Sequence, residues 1–577
     1  MSAPLIGRSL VLLLLVAACR SHSPELPPGS PDNGGLSLPD GFEAVVVADS
    51  VPGRVRHLAV GPNGDVYAKL MFSNGQGSVA TLRDTNGDGR ADIIRRFGNV
   101  EADGSKWSYH TGIRIYNNYL YFSSELVVYR YPLPQNGALV PEGEPEVVFT
   151  DDHAHGKHEH IGKPITFDDQ GHIYIPFGAP TNACQNPKRT PGAPGQVPCR
   201  ARVFPGGFWV LAAGPPPQTQ KEGKNFPPGI GGVAPLAGTP ADKQLYSVVH
   251  GRDDLMRLWP ALYSGWQSAV LPAEEFIRIR EGDDFGWPYC YYDQVKGKKV
   301  LGPEYGGNGD SIGRCKDYEL PLMGFPGHWA PNDLQFYRGA QFPQHYQNGA
   351  FVAFHGSTNR APYPQAGYFV AFVPFQNGQP GTWEVFADGF AGVDPIVNVS
   401  DAKYRPMGIA VGPDGSLYLA ETEKGKIWRV MYKGNKKDFG PAQLAAMEQH
   451  KNRSHIRQPD PITDNLERET TSRGESIYYA FCGMCHQQNG KGASGRFPPL
   501  AGVDWVTGDK KRLINVVLYG REGPMEINGQ VYEGVMPQHS YLPDEDIAEV
   551  LSYIRSSFGN QAGPVTPEEV KRERVAQ

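Results

Sequence analysis

The sequence predicts a mainly β protein, with a six-bladed β-propeller followed by a small all-α domain. The first observation is composition: 577 residues include 70 Gly, 52 Pro and 11% aromatics, which favours many short strands joined by turns. The second is a strand-turn-strand pattern that recurs from residue 36 to 432. The third is a change to helical periodicity after Gly474. A β-sandwich is the alternative for the first part, although its strands would be more evenly spaced.

The N-terminus has the features of an export signal. Arg8 precedes an apolar run, Leu10 to Ala18, that is too short to be trusted as a membrane span. The run ends in Val-Ala-Ala-Cys, which resembles the bacterial lipobox and predicts a signal peptide over 1–18, a lipid on Cys19 and a Pro-rich tether over 19–35. Ordinary cleavage after Ala18 is the alternative. We expect an exported protein on the periplasmic side, anchored to the membrane as a lipoprotein.

Each repeated unit of 36–432 is an apolar strand, a turn built on Gly with Asn, Asp or Gln, and a second apolar strand. Clear copies lie at 58–67, 165–174 and 409–418, and a degenerate copy lies at 113–121. Asn-Gly and Asp-Gly turns between apolar strands are typical of β-hairpins. Hairpins repeated along several hundred residues, with long irregular insertions, predict propeller blades.

The segment from 84 to 92 alternates carboxylate and amide oxygens around glycines and is similar to a calcium loop. Its candidate Ca²⁺ ligands are Asp84, Asn86, Asp88 and Asp92. The bidentate Glu of an EF-hand is missing from its expected place, so a plain hairpin turn with solvated carboxylates is the alternative.

The propeller pattern stops at Lys433, where a polar linker over 433–473 begins, with a short helix expected near Ala442 to His450. The second domain is predicted over 474–560, followed by a C-terminal tail over 561–577. Its helices are expected at 475–481, 513–518 and 543–558.

The second domain contains Cys482-Gly483-Met484-Cys485-His486, the attachment pattern of c-type haem. Each thiol adds to one haem vinyl group, and His486 then lies under the iron as its proximal ligand. A zinc half-site would need another Cys or His pair at ligand spacing, which does not follow in this region. Three helices around one covalent haem is the plan of a small cytochrome c.

The sixth iron ligand is expected to be the thioether of Met536, because the surrounding Gly and Pro hold an extended loop that can cross the haem face. Met525 and His539 are the alternatives.

The cysteines divide among these roles. Of seven, Cys19 is assigned to lipid and two to haem, which leaves four for disulfides in an exported protein. We expect the pairs Cys184 with Cys199 and Cys290 with Cys315, each closing a short Gly/Pro-rich loop, although sequence alone leaves three connectivities open.

Longer stretches of the chain resemble known proteins. FPPLAGVDWV, GQVYEGVMP and DEDIAEVLSYIR are similar to the cytochrome domain found with quinoprotein alcohol and sugar dehydrogenases. HEHIGKPITFDDQGHIYIPFGAPTNACQ, GDDFGWPYCYYD, GHWAPNDLQFY, FVAFHGSTNR and YRPMGIAVGPDGSLYLAE resemble the propellers of the sorbosone or soluble aldose sugar dehydrogenases, which bind pyrroloquinoline quinone (PQQ). Together these matches span about residue 40 to 557.

The resemblance implies site residues. His160 matches the family's catalytic histidine, a general base on the sugar hydroxyl, although it lies in a run of histidines that a solvated loop or a metal site would also explain. Arg or Lys residues of the family hold the PQQ carboxylates; structural ion pairs between blades are the alternative role for each Arg. The positions implied to contact PQQ are His110, Arg252, Asp253, His328, Arg360 and Arg405.

Two positions depart from the family pattern. Asp253 replaces the family's Asn, which leaves open whether it touches PQQ or a neighbouring Ca²⁺. Thr358 stands where many relatives carry Trp, which is expected to alter the substrate pocket.

The function implied is a PQQ-dependent dehydrogenase that oxidises a sugar, or another alcohol or aldehyde, and passes electrons to its own haem c. We expect a respiratory acceptor, a cytochrome or an oxidase, to take the electrons onward. A net charge of −6 without a basic stripe argues against nucleic acid as a partner. One alternative is a non-enzymatic electron carrier or haem sensor whose propeller is a docking module. Another is an enzyme whose propeller holds a metal or a second haem.

Overall fold

The computed structural model describes most of the propeller and of the second domain. The signal peptide, Cys19 and most of the linker's second half lie outside the described residues. The residues that the structure describes are 26–73, 75–100, 111–152, 160, 162–202, 206–226, 230, 236–238, 244–361, 363–459, 472–493, 497–532, 536, 538–540 and 542–575.

The described residues contain six four-stranded antiparallel sheets, which confirms the predicted six-bladed propeller. The first strand of the chain, β1 (Phe42–Ala48), belongs to the last blade. Blade 1 contains β2 (Val55–Val60), β3 (Val66–Leu70), β4 (Val79–Arg83) and β5 (Ile93–Phe97). Blade 2 contains β6 (Ile113–Tyr116), β7 (Tyr119–Ser123), β8 (Val127–Pro132) and β9 (Glu146–Thr150). Blade 3 contains β10 (Thr166–Phe167), β11 (His172–Phe177), β12 (Gly207–Ala212) and β13 (Lys224–Asn225).

The later blades carry insertions. Blade 4 contains β14 (Leu236–Gly238), β15 (Leu245–Val249), β16 (Glu274–Ile279) and β19 (Met323–Phe325), with the inserted hairpin β17 (Cys290–Asp293) and β18 (Lys298–Leu301). Blade 5 contains β20 (Pro331–Phe336), β21 (Ala350–Phe354), β22 (Phe369–Val373) and β25 (Glu384–Ala387), with the hairpin β23 (Phe375–Gln376) and β24 (Gln379–Pro380). Blade 6 contains β26 (Pro406–Val411), β27 (Leu417–Glu421), β28 (Ile427–Tyr432) and β1.

The ring is closed by strand pairing between the two ends of the propeller. Strand β1 pairs with β28 in the antiparallel direction, and Phe42 lies opposite Tyr432. Within each blade the chain runs from the first strand, which contacts neighbouring blades, to the outer edge. The hydrophobic core therefore lies between the faces of adjacent blades, where alternate strand residues are buried.

The turns fit the residues that form them. Gly64 and Gly415 have φ of 88° and 84° in two of the clear repeats. In the degenerate repeat, Asn117 and Asn118 have φ of 46° and 62°, the left-handed pair that a type I′ hairpin requires and that Asn tolerates.

A buried ion pair joins opposite blades through the centre of the ring. Arg114 of β6 donates from Nη2 to Oδ1 of Asp333 in β20 at 2.8 Å, and Asp333 is fully buried. Its second oxygen accepts from the backbone N–H of Ile409 in β26. Three blades are thereby tied at one carboxylate.

The linker contains the helix Pro441–Gln449, close to the expected position, and this helix packs on the propeller. His450 and His455 both bond to buried Asp388, at 2.6 and 3.0 Å. Although burial opposes the charge, these hydrogen bonds keep the pKa of Asp388 far below its ordinary value. Trp266 donates from Nε1 to the carbonyl of Pro459 at 2.5 Å. The described part of the linker is therefore attached to the propeller surface.

The second domain is built from short helices and one small hairpin. The helix Arg473–Ile477 continues as the π-helical turn Tyr478–Cys482 and then as Gly483–His486, so that the haem motif lies at a helix end. The other elements are Asp504–Thr507, Lys510–Tyr519, β29 (Met525–Ile527), β30 (Gln530–Tyr532), Asp544–Ser556 and Pro567–Val575.

The last helix occupies the segment expected as a tail. Ion pairs attach it to the domain: Lys510 to Glu569 at 3.0 Å and Arg574 to Asp544 at 2.7 Å. None of the helices in the described part of the chain is both long and apolar enough to span a membrane.

Candidate functional site

A pocket beside blade 4 brings together two residues that the resemblance singled out, His160 and Arg252. It holds about 750 Å³ of space free of protein atoms, part of it open to solvent. Asn182, His250 and Trp287 also line it. The pocket therefore has an apolar wall with a few convergent polar groups, as ligand sites do.

A disulfide-closed segment, 290–315, lines this pocket through Cys290, Tyr291 and Gly302, and a second disulfide-closed loop, 184–199, lies beside it. Cys184 is bonded to Cys199 and Cys290 to Cys315, which confirms the expected pairs. The two loops contact each other, because the backbone N–H of Gly195 donates to the carbonyl of Glu304 at 3.0 Å, and Trp287 donates from Nε1 to the carbonyl of Asn182 at 2.8 Å beside them. The disulfides and these bonds fix loops that have little regular structure of their own.

His160 is held in a fixed orientation by its backbone and one ring nitrogen. Its φ is 57°, and its Nδ1 lies 3.1 Å from the carbonyl of Ala179. A carbonyl only accepts, so Nδ1 carries the proton and Nε2 is left as a base. Gly178 lies directly beneath: a Cβ at that position would be 2.0 Å from the His160 carbonyl oxygen. The other histidines of the run lie outside the described residues.

Arg252 is buried but keeps a donor. Its Nη1 donates to Oε2 of Glu304 at 2.6 Å, whereas Nη2 is buried without a hydrogen-bond partner among the described residues. Burial opposes its charge, but Glu304 raises the pKa of the guanidinium above its ordinary value. Arg252 is therefore a permanent cation with N–H groups available to an anion.

Asp253 is held by two neighbouring loops. Its Oδ1 accepts from Nδ2 of Asn359 at 2.5 Å and lies 3.5 Å from Nδ1 of His328. His328 donates from Nε2 to the carbonyl of Ser268 at 2.7 Å. Burial opposes protonation of His328, but Asp253 and then Glu274 raise its pKa. Asp253 thus joins the loop of Arg252 to the loop of Arg360.

Arg360 has no partner for its guanidinium among the described residues. All three side-chain nitrogens are buried without a hydrogen bond, and the residue is 1% exposed. Burial lowers the pKa of Arg360 to about 9. An isolated buried cation is costly, so the guanidinium of Arg360 destabilises the fold unless an anion compensates its charge.

Arg405 is already engaged. It donates to the carbonyls of His355 at 3.1 Å and Gly356 at 2.6 Å, and it lies 3.5 Å from Glu423. These partners belong to blades 5 and 6, which is the structural role that the sequence left open for each Arg. Its contact with a cofactor stays a prediction, as does that of His110, which lies outside the described residues.

Buried neutral imidazoles lie around these cations. Burial lowers the pKa of His250 to about 4, although its hydrogen bond to the Pro331 carbonyl opposes this shift. Burial and the charges of Arg405 and Arg56 also lower the pKa of His355 well below its ordinary value. His250 donates from Nε2 to the carbonyl of Pro331 at 2.7 Å. These rings therefore serve as neutral hydrogen-bonding groups.

The second domain contains a haem-sized space around Cys482, Cys485 and His486. Two adjoining pockets, of about 690 and 770 Å³, share Cys482, His486, Met525 and Met536. His486 has its Nδ1 2.8 Å from the carbonyl of Pro498, so Nδ1 donates and Nε2 is left for iron. The residues present therefore fit a covalent haem.

Met536 and its two rivals all line this space. Met536 is held by a reciprocal backbone pair with Arg521, at 2.9 Å in both directions. Met525 lies at the start of β29. The backbone of Met536 is therefore fixed beside this space, which favours Met536 as the axial ligand; the assignment stays a prediction.

The two domains meet at the residue that follows His486. Gln365 of the propeller donates from Nε2 to Oε1 of Gln487 at 3.0 Å, and Gln487 donates from Nε2 to the Thr358 carbonyl at 3.4 Å. Asn398 donates from Nδ2 to Oδ1 of Asn489 at 3.0 Å. The structure thus places Thr358 against the second domain, next to the haem motif.

The candidate calcium loop is an exposed turn. Asp84 accepts the backbone N–H groups of Gly87 and Gly89, both at 2.7 Å, and Asp88 accepts that of Arg90 at 2.8 Å. Within the described ranges no three His, Cys, Asp or Glu side chains converge as a metal site. Calcium at Asp84, Asn86, Asp88 and Asp92 stays a prediction.

Several residues of these sites were not singled out from sequence. Trp287 stands in GDDFGWP, part of a stretch that carries the family resemblance, and His250 is two residues before Arg252, so both could have been found from those signals. Glu304, the partner of Arg252, lies in a loop insertion without a motif. Arg257, which lines the haem pocket from the propeller, has no local signal at all.

Residues 36–433, more than half of the chain, match the family described as TrAA12-like. The calcium structure of the family AA12 enzyme from Trichoderma reesei superposes with a TM-score of 0.55 at 17% identity, covering 69% of this chain and 97% of that one. The PQQ domain of pyranose dehydrogenase from Coprinopsis cinerea gives 0.53 at 15% identity, covering 70% and 98%. At these identities the superpositions show the fold alone.

Residues 471–558 match the cytochrome c family. Cytochrome c-552 of Thermus thermophilus is 45% identical over 106 residues, which are 17% of this chain and 81% of that protein. The cytochrome c subunit of the quinone alcohol dehydrogenase of Gluconacetobacter polyoxogenes is 36% identical over 121 residues, 20% of this chain and 26% of the subunit.

Proposed function

This chain belongs to the TrAA12-like family and carries a cytochrome c domain, and we propose that it is a PQQ-dependent dehydrogenase that oxidises a sugar and reduces its own haem c. The observation that carries the proposal is a pocket lined by both a fixed imidazole, that of His160, and a guanidinium with an unsatisfied donor, that of Arg252. A hydrogen bond between Asp253 and Asn359 joins the loop of Arg252 to the loop of Arg360, whose guanidinium is also unsatisfied among the described residues. Another alcohol or an aldehyde is the alternative substrate.

The donors fit an anionic cofactor. PQQ carries carboxylates, which match guanidinium groups in charge and shape. Nη2 of Arg252 and the whole Arg360 guanidinium lack partners in the described part of the chain. The Asn359–Asp253 hydrogen bond joins the loops that carry these two residues. Arg252 and Arg360 are therefore the residues that would hold the cofactor.

His160 would act on the substrate hydroxyl. Its Nδ1 proton is directed to the Ala179 carbonyl, so Nε2 accepts the hydroxyl proton as the substrate is oxidised. PQQ supplies the two-electron acceptor when bound, and haem c supplies a one-electron carrier. His486 and Met536 would hold the iron, and Cys482 and Cys485 the porphyrin edge.

Fusion places the electron acceptor on the same chain as the donor site. The bonds of Gln487 and Asn489 to the propeller fix the haem motif against blades that carry the candidate cofactor residues. Transfer within one chain does not depend on encounter between two proteins. We further propose export, a lipid on Cys19 and a respiratory cytochrome or oxidase as the final acceptor.

The test is reduction of the haem by substrate. Purified full-length protein is loaded with PQQ and Ca²⁺, and its haem absorbance is recorded on addition of a panel of sugars, alcohols and aldehydes. Reduction that requires both PQQ and substrate supports the proposal. No reduction with any substrate, together with no PQQ retained on the protein, would refute it and favour a non-enzymatic electron carrier.

A further inference from the structure

The haem pocket contains a propeller side chain, Arg257, beside Cys482, Cys485 and His486. Arg257 lies in the short helix Leu255–Leu258, in the segment that connects β15 to β16 of blade 4. Five residues earlier, Arg252 lines the propeller pocket. Five residues span at most about 18 Å when fully extended. One short segment therefore has a residue in the wall of each pocket.

Arg257 is held in one orientation by a bidentate ion pair. Its Nε donates to Oδ1 of Asp254 at 2.9 Å and its Nη2 donates to Oδ2 at 2.7 Å. The Arg257 side chain is 6% exposed. Asp254 also accepts from Arg189, which approaches from the disulfide-closed loop. Two parallel hydrogen bonds fix the plane of a guanidinium as well as its position.

The fork leaves Nη1 of Arg257 without an acceptor in the part of the chain that the structure describes. Arg257 and Cys485 line the same pocket. Cys485 forms a bond to the haem edge once haem is attached. A buried cation beside that edge acts in a medium of low dielectric constant, where its effect on a nearby redox centre is large.

We propose that Arg257 is a positioning residue for the haem, supplied by the propeller: its guanidinium lies against the haem edge bonded to Cys485 and raises the reduction potential of the iron. A positive charge stabilises the reduced haem, which has one positive charge fewer than the oxidised haem. Electrons from the propeller pocket are thereby favoured to move onto the haem. The supply of electrons from the propeller pocket rests on the proposed function, whereas the effect of Arg257 on the haem reduction potential does not.

The test is a spectroscopic redox titration of the full-length holoprotein without PQQ or substrate. Arg257→Gln removes one positive charge and is expected to lower the potential, so that the ratio of reduced to oxidised haem at a fixed ambient potential falls several-fold. Asp254→Asn removes one negative charge and is expected to raise the potential. Asn tolerates the φ of 74° at this position. Arg257→Lys keeps the charge and is expected to stay closer to the wild type.

Arg130→Gln is the matched control, because Arg130 is a buried, ion-paired arginine of blade 2 that does not line the haem pocket. It should leave the haem potential unchanged. A role in stability alone would lower the melting temperature of the Arg257 and Asp254 variants without moving their potentials in opposite directions, and that result would overturn the proposal. Opposite shifts with no haem reduction by any substrate would support Arg257 and refute the proposed activity.

Discussion

Replacing Arg360 with Met should stabilise the propeller and abolish its response to PQQ. Burial lowers the pKa of Arg360 to about 9, because no described residue compensates the charge. At 1.36 kcal/mol for each pKa unit, the drop from an ordinary arginine value of about 12.5 corresponds to a cost of about 5 kcal/mol in the cofactor-free protein. Removing the charge recovers this free energy. The space that the shorter Met leaves offsets part of it, about 1–3 kcal/mol for a buried change of this size.

The stability difference between the wild type and Arg360→Met should depend on pH, because the pKa of the Arg360 guanidinium is lower in the folded protein than in the unfolded chain. The cost of the charged guanidinium is fully present below about pH 9 and is lost as the pH rises through the folded-state pKa. We therefore expect Arg360→Met to unfold at a higher temperature than the wild type at neutral pH. The difference should narrow above pH 9.

Thermal unfolding of both proteins with and without PQQ is the assay. PQQ should raise the melting temperature of the wild type by mass action and that of Arg360→Met little. Arg405→Met is the matched control: it removes a guanidinium that bonds to His355, Gly356 and Glu423, so it should destabilise the protein. An Arg360→Met protein that melts below the wild type without PQQ, and responds equally to PQQ, would refute this reasoning.

Three further outcomes test the other site residues. His160→Gln should slow substrate-driven haem reduction by about 10²–10⁴-fold with an unchanged haem spectrum; a fall below threefold would remove His160 as the base. Gly178→Ala should slow the same step, because the added Cβ would lie only 2.0 Å from the carbonyl oxygen of His160 and would force His160 to move. Normal kinetics in this variant would show that the orientation of His160 is unimportant. Met536→Ala should abolish the sulfur-to-iron absorption band and lower the haem potential, whereas Met525→Leu should change neither; the reverse pattern would exchange their roles.

Local patterns predicted much of this molecule. The haem motif is five consecutive residues, and the hairpins need only a turn pair such as Asn117-Asn118, so neither depends on distant contacts. The disulfide partners lie 15 and 25 residues apart, within single loops. The six blades and the cytochrome domain followed from such signals.

Contacts between distant segments were not predictable in this way. Asp253 bonds to Asn359, and Arg257 reaches the pocket of Cys485, because the fold brings together loops more than 100 residues apart. The partner of a buried charge depends on which loops meet, and sequence periodicity has no information on this. The sequence therefore led to a prediction that Arg252, Arg360 and Arg405 contact a cofactor, but it had no information on which of them is paired.

The pairing of β1 with β28 also determines when this protein can finish folding. Phe42 must find Tyr432, and the entropic cost of closing so long a loop is met before the last blade contributes its stability. Blades 1 to 5 can form as the chain emerges, but the ring stays open until the end of blade 6 has been made. The linker and the cytochrome domain come after β28 in the chain, and the cytochrome domain contacts the propeller through Gln365 and Asn398. A truncation that removes β1 would therefore impair the docking of a haem domain more than 400 residues away.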